Sequence, residues 1–327
     1  MRERGLKRGE MQHIKNKIKT LTKKIGEKPI GPSTSFLRLD AATRGFLPCK
    51  LFIIGARQGC GKSSLMVDMA FAASKTVPVG IFSIEMPEQE LVERAACNYA
   101  DLNYNKLTSN KGTQKEMELL DKAAEAISEL PIYYDDGPGY IGINDWFFEQ
   151  KKIPIEKSIT SKIEKWAKQG IKVFFIDHLH RMTWVGKEAD KKFQMGETSR
   201  LLADCAKRLE ICIVLLSQLR RFNPSDFKKK KGEPVIPEPK IEDLKESGDI
   251  ENNANSVILI HRPQLYQLNE ELELFEYNNN VENDVKLILA KQRGGPIGKV
   301  SVDFHTWSMS FRDRDSVRET NLFKGEI

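Results

Sequence analysis

Lys62 and Ser63 have the clearest chemical purpose in this chain. They close the stretch GARQGCGKSS, residues 55–64. An amine and a hydroxyl that follow a glycine turn and open a helix suit one task. Backbone N–H groups converge on phosphate oxygens, Lys62 neutralises their charge, and the Ser63 hydroxyl reaches Mg²⁺. The stretch departs from the common GxxxxGK[ST] spacing by one position, because Ala56 stands where the first glycine is expected and the glycines fall at 55 and 59. Alanine serves there wherever its φ is negative. The candidate phosphate-binding set is therefore Ala56, Arg57, Gln58, Gly59, Cys60, Gly61, Lys62, Ser63 and Ser64.

A phosphate site of this kind needs a second group to hold the metal and a base to activate water. KVFFIDH ends an apolar run on Asp177, the candidate Mg²⁺ partner of Ser63, and VGIFSIE ends another on Glu85, the candidate base. ICIVLLSQL presents Ser217 and Gln218 at the end of a third run, and the amide of Gln218 can contact a γ-phosphate or orient water. The set suits ATP hydrolysis. His178 and His180 stand two apart beside Asp177, but no third ligand at sensible spacing follows, so they are expected to be a buried or site-edge pair without metal.

These residues can meet only if the apolar runs are neighbouring strands. Residues 50–55, 79–84, 172–177, 211–217, 256–261 and 285–290 are continuous apolar runs of strand length, the pattern of strands buried on both faces. Helical patterns lie between most of them, at 62–74, 88–99, 113–129, 155–169 and 194–210. The alternation predicts an α/β fold with a largely parallel sheet covered by helices on both sides. KVSVDFHTWSMSFRD at the end alternates more strictly and predicts an antiparallel edge hairpin. KKKKGEPVIPEPK, residues 228–240, is expected to be a polar, proline-rich loop.

The first residues differ from the rest. Residues 1–30 carry ten Lys/Arg against three Asp/Glu, whereas residues 31–327 carry 42 against 43. Nucleic acid would therefore meet the main body through a local stripe or channel, not a generally basic surface. Ile14, Ile18, Leu21 and Ile25 form one narrow stripe on a basic helix, expected over residues 8–25, which ends in the linker GEKPIGPSTS. The expected division is a basic linker helix and linker at 1–34 and an ATPase domain at 35–327. The start of the chain lacks the apolar core of a signal peptide, and no apolar run approaches the roughly 18 residues of a membrane span. Five cysteines without a CxxC pair point to a reducing, intracellular compartment, with the cytoplasm expected.

Six blocks in order, SFLRLDAATRGFLPCKLFIIGARQGCGKSS, IFSIEM, VFFIDHLH, VLLSQLRR, DLKESGDIENNANSVILIHR and LILAKQRGGPIGKVSVDF, resemble the C-terminal ATPase domain of DnaB-type replicative helicases over roughly residues 35–313. That family's phosphate loop commonly carries alanine at the position of Ala56. The resemblance implies a RecA-like P-loop core and a ring, usually of six subunits, that moves 5′→3′ on single-stranded DNA and unwinds forked duplex. It implies ATP and Mg²⁺ as cofactors, and a primase and a helicase loader as partners.

By the same resemblance Lys291 and Arg293, in AKQRGGP, match the basic pair that reaches a neighbour's ATP site. Lys245, Glu246 and Gly248, in DLKESG, match the loop that touches the DNA backbone, with Arg220 and Arg221 as further DNA-binding candidates. Three departures stand out. Lys245 replaces the usual arginine, His180 replaces a usual glutamine, and the family's N-terminal helical domain has no counterpart ahead of the basic helix. A RecA-family recombinase and a regulatory DNA-binding ATPase without unwinding activity are the alternatives; KESGDIE and AKQRGGP argue against the recombinase, and the intact ATPase set against a nucleotide-binding module that does not hydrolyse.

Overall fold

The computed structural model of the protein describes residues 30–142, 145–186, 191–221, 228–230, 233–244, 247–269, 274–277 and 284–314. The basic helix expected over residues 8–25 lies outside them. Nine strands form one sheet: β1 (Lys50–Ala56), β2 (Val79–Ser83), β3 (Ile132–Asp135), β4 (Val173–Asp177), β5 (Cys212–Gln218), β6 (Ser256–His261), β7 (Asp284–Gln292), β8 (Gly298–His305) and β9 (Ser310–Asp313). Their spatial order is β9-β8-β7-β6-β1-β5-β4-β2-β3. Neighbours from β6 through to β3 pair in parallel, and β7, β8 and β9 continue the sheet antiparallel.

Each central strand is apolar throughout because it feeds a core on both faces. In β1, Phe52, Ile54 and Ala56 join one core while Leu51 and Ile53 join the other. The same alternation splits β5, with Cys212, Val214 and Leu216 against Ile213 and Leu215. On the first face lies helix α1 (Lys62–Ser74), which buries Leu65, Met66, Met69, Ala70 and Ala73. The second face is covered by α2 (Ile159–Lys168) through Ile159 and Ile163, and by α3 (Lys191–Leu209) through Leu202, Cys205 and Ala206.

Helix α1 opens with Lys62, Ser63 and Ser64 of the candidate phosphate loop, so its placement matters most. Asp68, 3% exposed, accepts hydrogen bonds from Asn98 Nδ2 at 2.9 Å and from the backbone N–H of Phe311 at 2.7 Å. Those bonds tie α1 to the helix Glu88–Ala100 and to β9. An acid inside an apolar helix face is tolerated only with such partners.

The six expected strands and five expected helices are all present, although the 155–169 pattern is divided into a 3₁₀ turn at Ile155–Lys157 and α2. Three features differ. Ile132–Asp135 adds an edge strand that the mixed sequence PIYYDD did not announce. The antiparallel region holds three strands and not only a hairpin. Part of the 228–240 stretch is not an irregular loop, since Lys228–Lys230 pairs antiparallel with Glu233–Val235. None of the five cysteines forms a disulfide, and four of them are buried.

His261 ends β6 at 5% exposure and pairs in register with Lys286. Burial pushes its pKa down from 6.5 to about 4; Lys286, Arg57 and Lys299 add to the shift and Glu238 opposes it. The unfolded chain therefore binds this proton more readily than the folded one. Stability from the neutral ring is complete above the unfolded pKa of 6.5 and is lost as pH falls from there towards 4. We expect roughly 2 kcal/mol of that loss between pH 7 and pH 5. Urea titrations at both values should show a smaller pH difference for His261→Gln than for the wild type.

Candidate nucleotide site

The loop between β1 and α1 forms the site because its glycines permit backbone that other residues resist. Gly59 and Gly61 have φ of 78° and 90°, and Gly61 caps α1 in the left-handed region. Ala56 is not among the positive-φ residues and completes β1 at 1% exposure, so its methyl group costs nothing. Gly55 answers a different need. A Cβ there would lie 2.8 Å from Leu259 Cδ2 and 2.9 Å from Leu244 Cδ2. At Gly61 a Cβ would also lie 3.0 Å from Phe311 Cζ. Gly61→Ala is expected to cost about 1–2 kcal/mol from backbone conformation alone and to weaken nucleotide binding, as thermal melts with and without ATP would register.

Parallel pairing brings the ends of β1, β2, β4 and β5 to one edge. Ser63 Oγ donates to Asp177 Oδ2 at 2.5 Å, and Lys62 Nζ lies 3.8 Å from Asp177 Oδ1. Asp177 is fully buried. Burial alone would raise its pKa, but His178, the charge of Lys62 and the Ser63 hydrogen bond outweigh it and hold the carboxyl below its ordinary value. Burial lowers the pKa of Lys62, against the pull of Asp177 and Glu85. The hydroxyl of Ser63 and the carboxylate of Asp177, whose Oδ1 has no hydrogen-bond partner among the described residues, make a donor set suited to a hard divalent cation.

Glu85 follows β2 in a bend secured by Ile84 N–H donating to Asp177 O at 2.7 Å and Ser83 Oγ donating to Met86 O at 2.8 Å. Its Oε2 lies 2.7 Å from His178 Nδ1, which is itself 3.5 Å from Asp177 Oδ1. One ligand atom from each of Glu85, Asp177 and His178 falls within 4.8 Å of the others. His180 is not part of this cluster; the group that joins His178 and Asp177 is Glu85, which arrives from another strand end. Adjacency to Asp177 was the only sequence signal for His178; its contact with Glu85 required the β2–β4 pairing. Gln218 ends β5 opposite Ala56 in register, beside the start of the loop.

Other candidates lie elsewhere. The Arg57 guanidinium, 7% exposed, faces Asp243 at 3.5 Å, and Arg220 Nε donates to Asp243 Oδ1 at 2.7 Å. Arg221 is exposed. Gly248 lies in a short helix, α4 (Ser247–Asn253), while Lys245 and Glu246 fall outside the described residues. Lys291 Nζ donates to Glu251 O at 2.6 Å, and Arg293 Nη2 donates to Asn252 O, so both cations cap the C-terminus of α4. They sit level with Ser256 and Phe52, since Ser256 pairs with both Gln292 and Phe52. Four strand residues, about 13 Å of rise, separate that level from Ala56. Within one chain they occupy the sheet edge opposite Lys62.

A family model for the DnaB-like helicase C-terminal domain matches residues 31–313. The chain belongs to this family. Among curated DnaB-like relatives, the replicative DNA helicase DnaB of Geobacillus stearothermophilus is 31% identical over 277 residues, covering 84% of this chain and 54% of that protein. The replicative DNA helicase DnaB of Helicobacter pylori strain 26695 is 29% identical over 310 residues, covering 86% of this chain and 59% of its own length. The chain thus spans between half and three-fifths of those relatives. Two solved structures share the DnaB-like fold. One, an isolated ATPase domain, superposes with a TM-score of 0.74 at 22% identity, over 93% of this chain and 99% of that one. The other, a DnaB-like replicative helicase described with its interactions with primase, gives 0.73 at 23% identity, over 93% and 67%. Among the described residues no helix is long and apolar enough to cross a membrane.

Proposed function

We propose that this chain is the ATP-hydrolysing motor of a hexameric, ring-shaped replicative DNA helicase that moves 5′→3′ on single-stranded DNA and unwinds duplex. The observation that carries the reading is the division of the candidate residues between two sheet edges. Lys62, Ser63, Asp177, Glu85 and Gln218 gather at one edge, and Lys291 and Arg293 stand at the other. A molecule built this way has an ATP site apart from its arginine finger and an arginine finger apart from a site, which a head-to-tail ring brings together.

In this reading the N–H groups of residues 56–64 cradle the phosphates and Lys62 neutralises them. Ser63 and Asp177 would hold Mg²⁺, which would supply further charge neutralisation to the phosphates. Glu85 accepts the proton of the attacking water, with His178 beside its carboxylate. Gln218 senses the γ-phosphate, and Arg293 with Lys291 from a neighbouring subunit stabilises the charge of the transition state. Lys245, Glu246 and Gly248 grip the DNA backbone, assisted by Arg220 and Arg221, without reading sequence. A primase and a loader are the natural partners of such a ring. Strand displacement on a forked duplex with ATP and Mg²⁺ tests the proposal; an assembled protein that displaces no strand would sink it.

A further inference from the structure

Two polar atoms at the end of β4 are buried without the hydrogen bonds that such atoms require. Asp177 is fully buried and His178 is 5% exposed, yet among the described residues neither Asp177 Oδ1 nor His178 Nδ1 has a hydrogen-bond partner. Buried polar atoms left so are costly, and a bound ion is one ordinary remedy. A third donor stands beside them. Glu85 Oε2 lies 2.7 Å from His178 Nδ1, which lies 3.5 Å from Asp177 Oδ1. Zn–N and Zn–O bonds are about 2.0–2.2 Å long, so neighbouring ligand atoms of a tetrahedral zinc stand roughly 3.4 Å apart. The two separations fall on either side of that spacing. Small rotations of Glu85, whose side chain is 39% exposed, bring the three atoms onto one ion, and the same exposure gives the ion a way in.

This donor set differs from the magnesium set. Ser63 engages the other carboxylate oxygen of Asp177, Oδ2. Magnesium prefers a near-octahedral shell of oxygens, whereas an imidazole joined to two carboxylates suits zinc and its neighbours among the transition metals. Three protein ligands with the fourth position left to water is the arrangement of zinc sites that stay open to solvent. Lys62 Nζ, 3.8 Å from Asp177 Oδ1, opposes a cation here, but two carboxylates outweigh one ammonium.

We propose that Glu85, Asp177 and His178 form a site for a divalent transition-metal ion of the zinc class, and that an ion held there arrests ATP hydrolysis by taking the Glu85 carboxylate from the attacking water. The binding rests on the geometry alone; the arrest rests on the reading of Glu85 as the base. The test titrates the nucleotide-free protein with Zn²⁺ by calorimetry, and with Co²⁺, whose visible spectrum reports the ligands around it. We expect an ion whose binding depends on His178, with tetrahedral Co²⁺ absorption, no thiolate charge-transfer band, and retention in excess Mg²⁺. His178→Asn and Glu85→Gln should each weaken it at least about tenfold. Glu85→Gln alters a partly exposed side chain, so it carries the test if His178→Asn fails to fold. His180→Asn should leave the affinity unchanged. In the wild type, saturating Zn²⁺ should slow phosphate release at least about 10²-fold, the lower range for loss of a general base.

Undiminished affinity in either folded variant would overturn the proposal. So would an ion that Mg²⁺ displaces, or one bound through thiolate. Zinc that binds through these residues and leaves hydrolysis at full rate would instead remove Glu85 from the role of base.

Discussion

Lys62→Ala is expected to reduce ATP turnover by at least roughly 10²–10³-fold, measured as steady-state phosphate release with Mg²⁺. The lysine opens α1, and its Nζ lies 3.8 Å from the fully buried Asp177, which the ring of His178 also approaches. Alanine removes the charge that would meet the phosphates, and the backbone cradle cannot replace it. The fold should survive, because α1 is anchored through Leu65, Met66, Met69 and Asp68 and not through this amine. Turnover within tenfold of the wild type would remove Lys62 from the mechanism.

Arg293→Ala is the second large effect. An arginine supplied in trans is worth about 10³–10⁵ in rate, and a loss in that range is expected while each subunit still binds nucleotide. The more telling result comes from mixing. In the proposed ring, assemblies mixed from Arg293→Ala and Lys62→Ala chains would contain interfaces in which an intact Lys62 faces an intact Arg293, so mixing two inactive preparations should restore hydrolysis. An arginine acting within its own chain would give no recovery. Its position level with Phe52, on the edge away from the phosphate loop, is why the trans role is expected.

Much of this architecture was legible in the order of residues. KLFIIG, KVFFID and ICIVLLS are built around unbroken apolar cores, and the structure uses each of those positions, since alternate side chains enter opposite cores. Helix α1 was legible for the complementary reason, with Lys62 and Ser63 at its start and an apolar length behind them. The edge strand Ile132–Asp135 was not, because an edge position asks for little apolar character and Tyr133 is exposed there. The ribbon at Lys228–Lys230 and Glu233–Val235 was hidden by lysines and a proline, residues tolerated in a two-stranded pair outside the main sheet.

By itself, the sequence determined the ingredients of the candidate site and the strand ends that carry them: Lys62 and Ser63, Glu85, Asp177 and Gln218. Local pattern suffices there, because a buried parallel strand and a glycine turn before a helix each leave a signature within a few residues. Only the tertiary structure decided which groups meet across long separations. It set His178 against Glu85, joined Arg57 and Arg220 through Asp243, and turned Lys291 and Arg293 onto the opposite edge. Those contacts depend on strand order and register, and no local preference of the residues involved encodes either one.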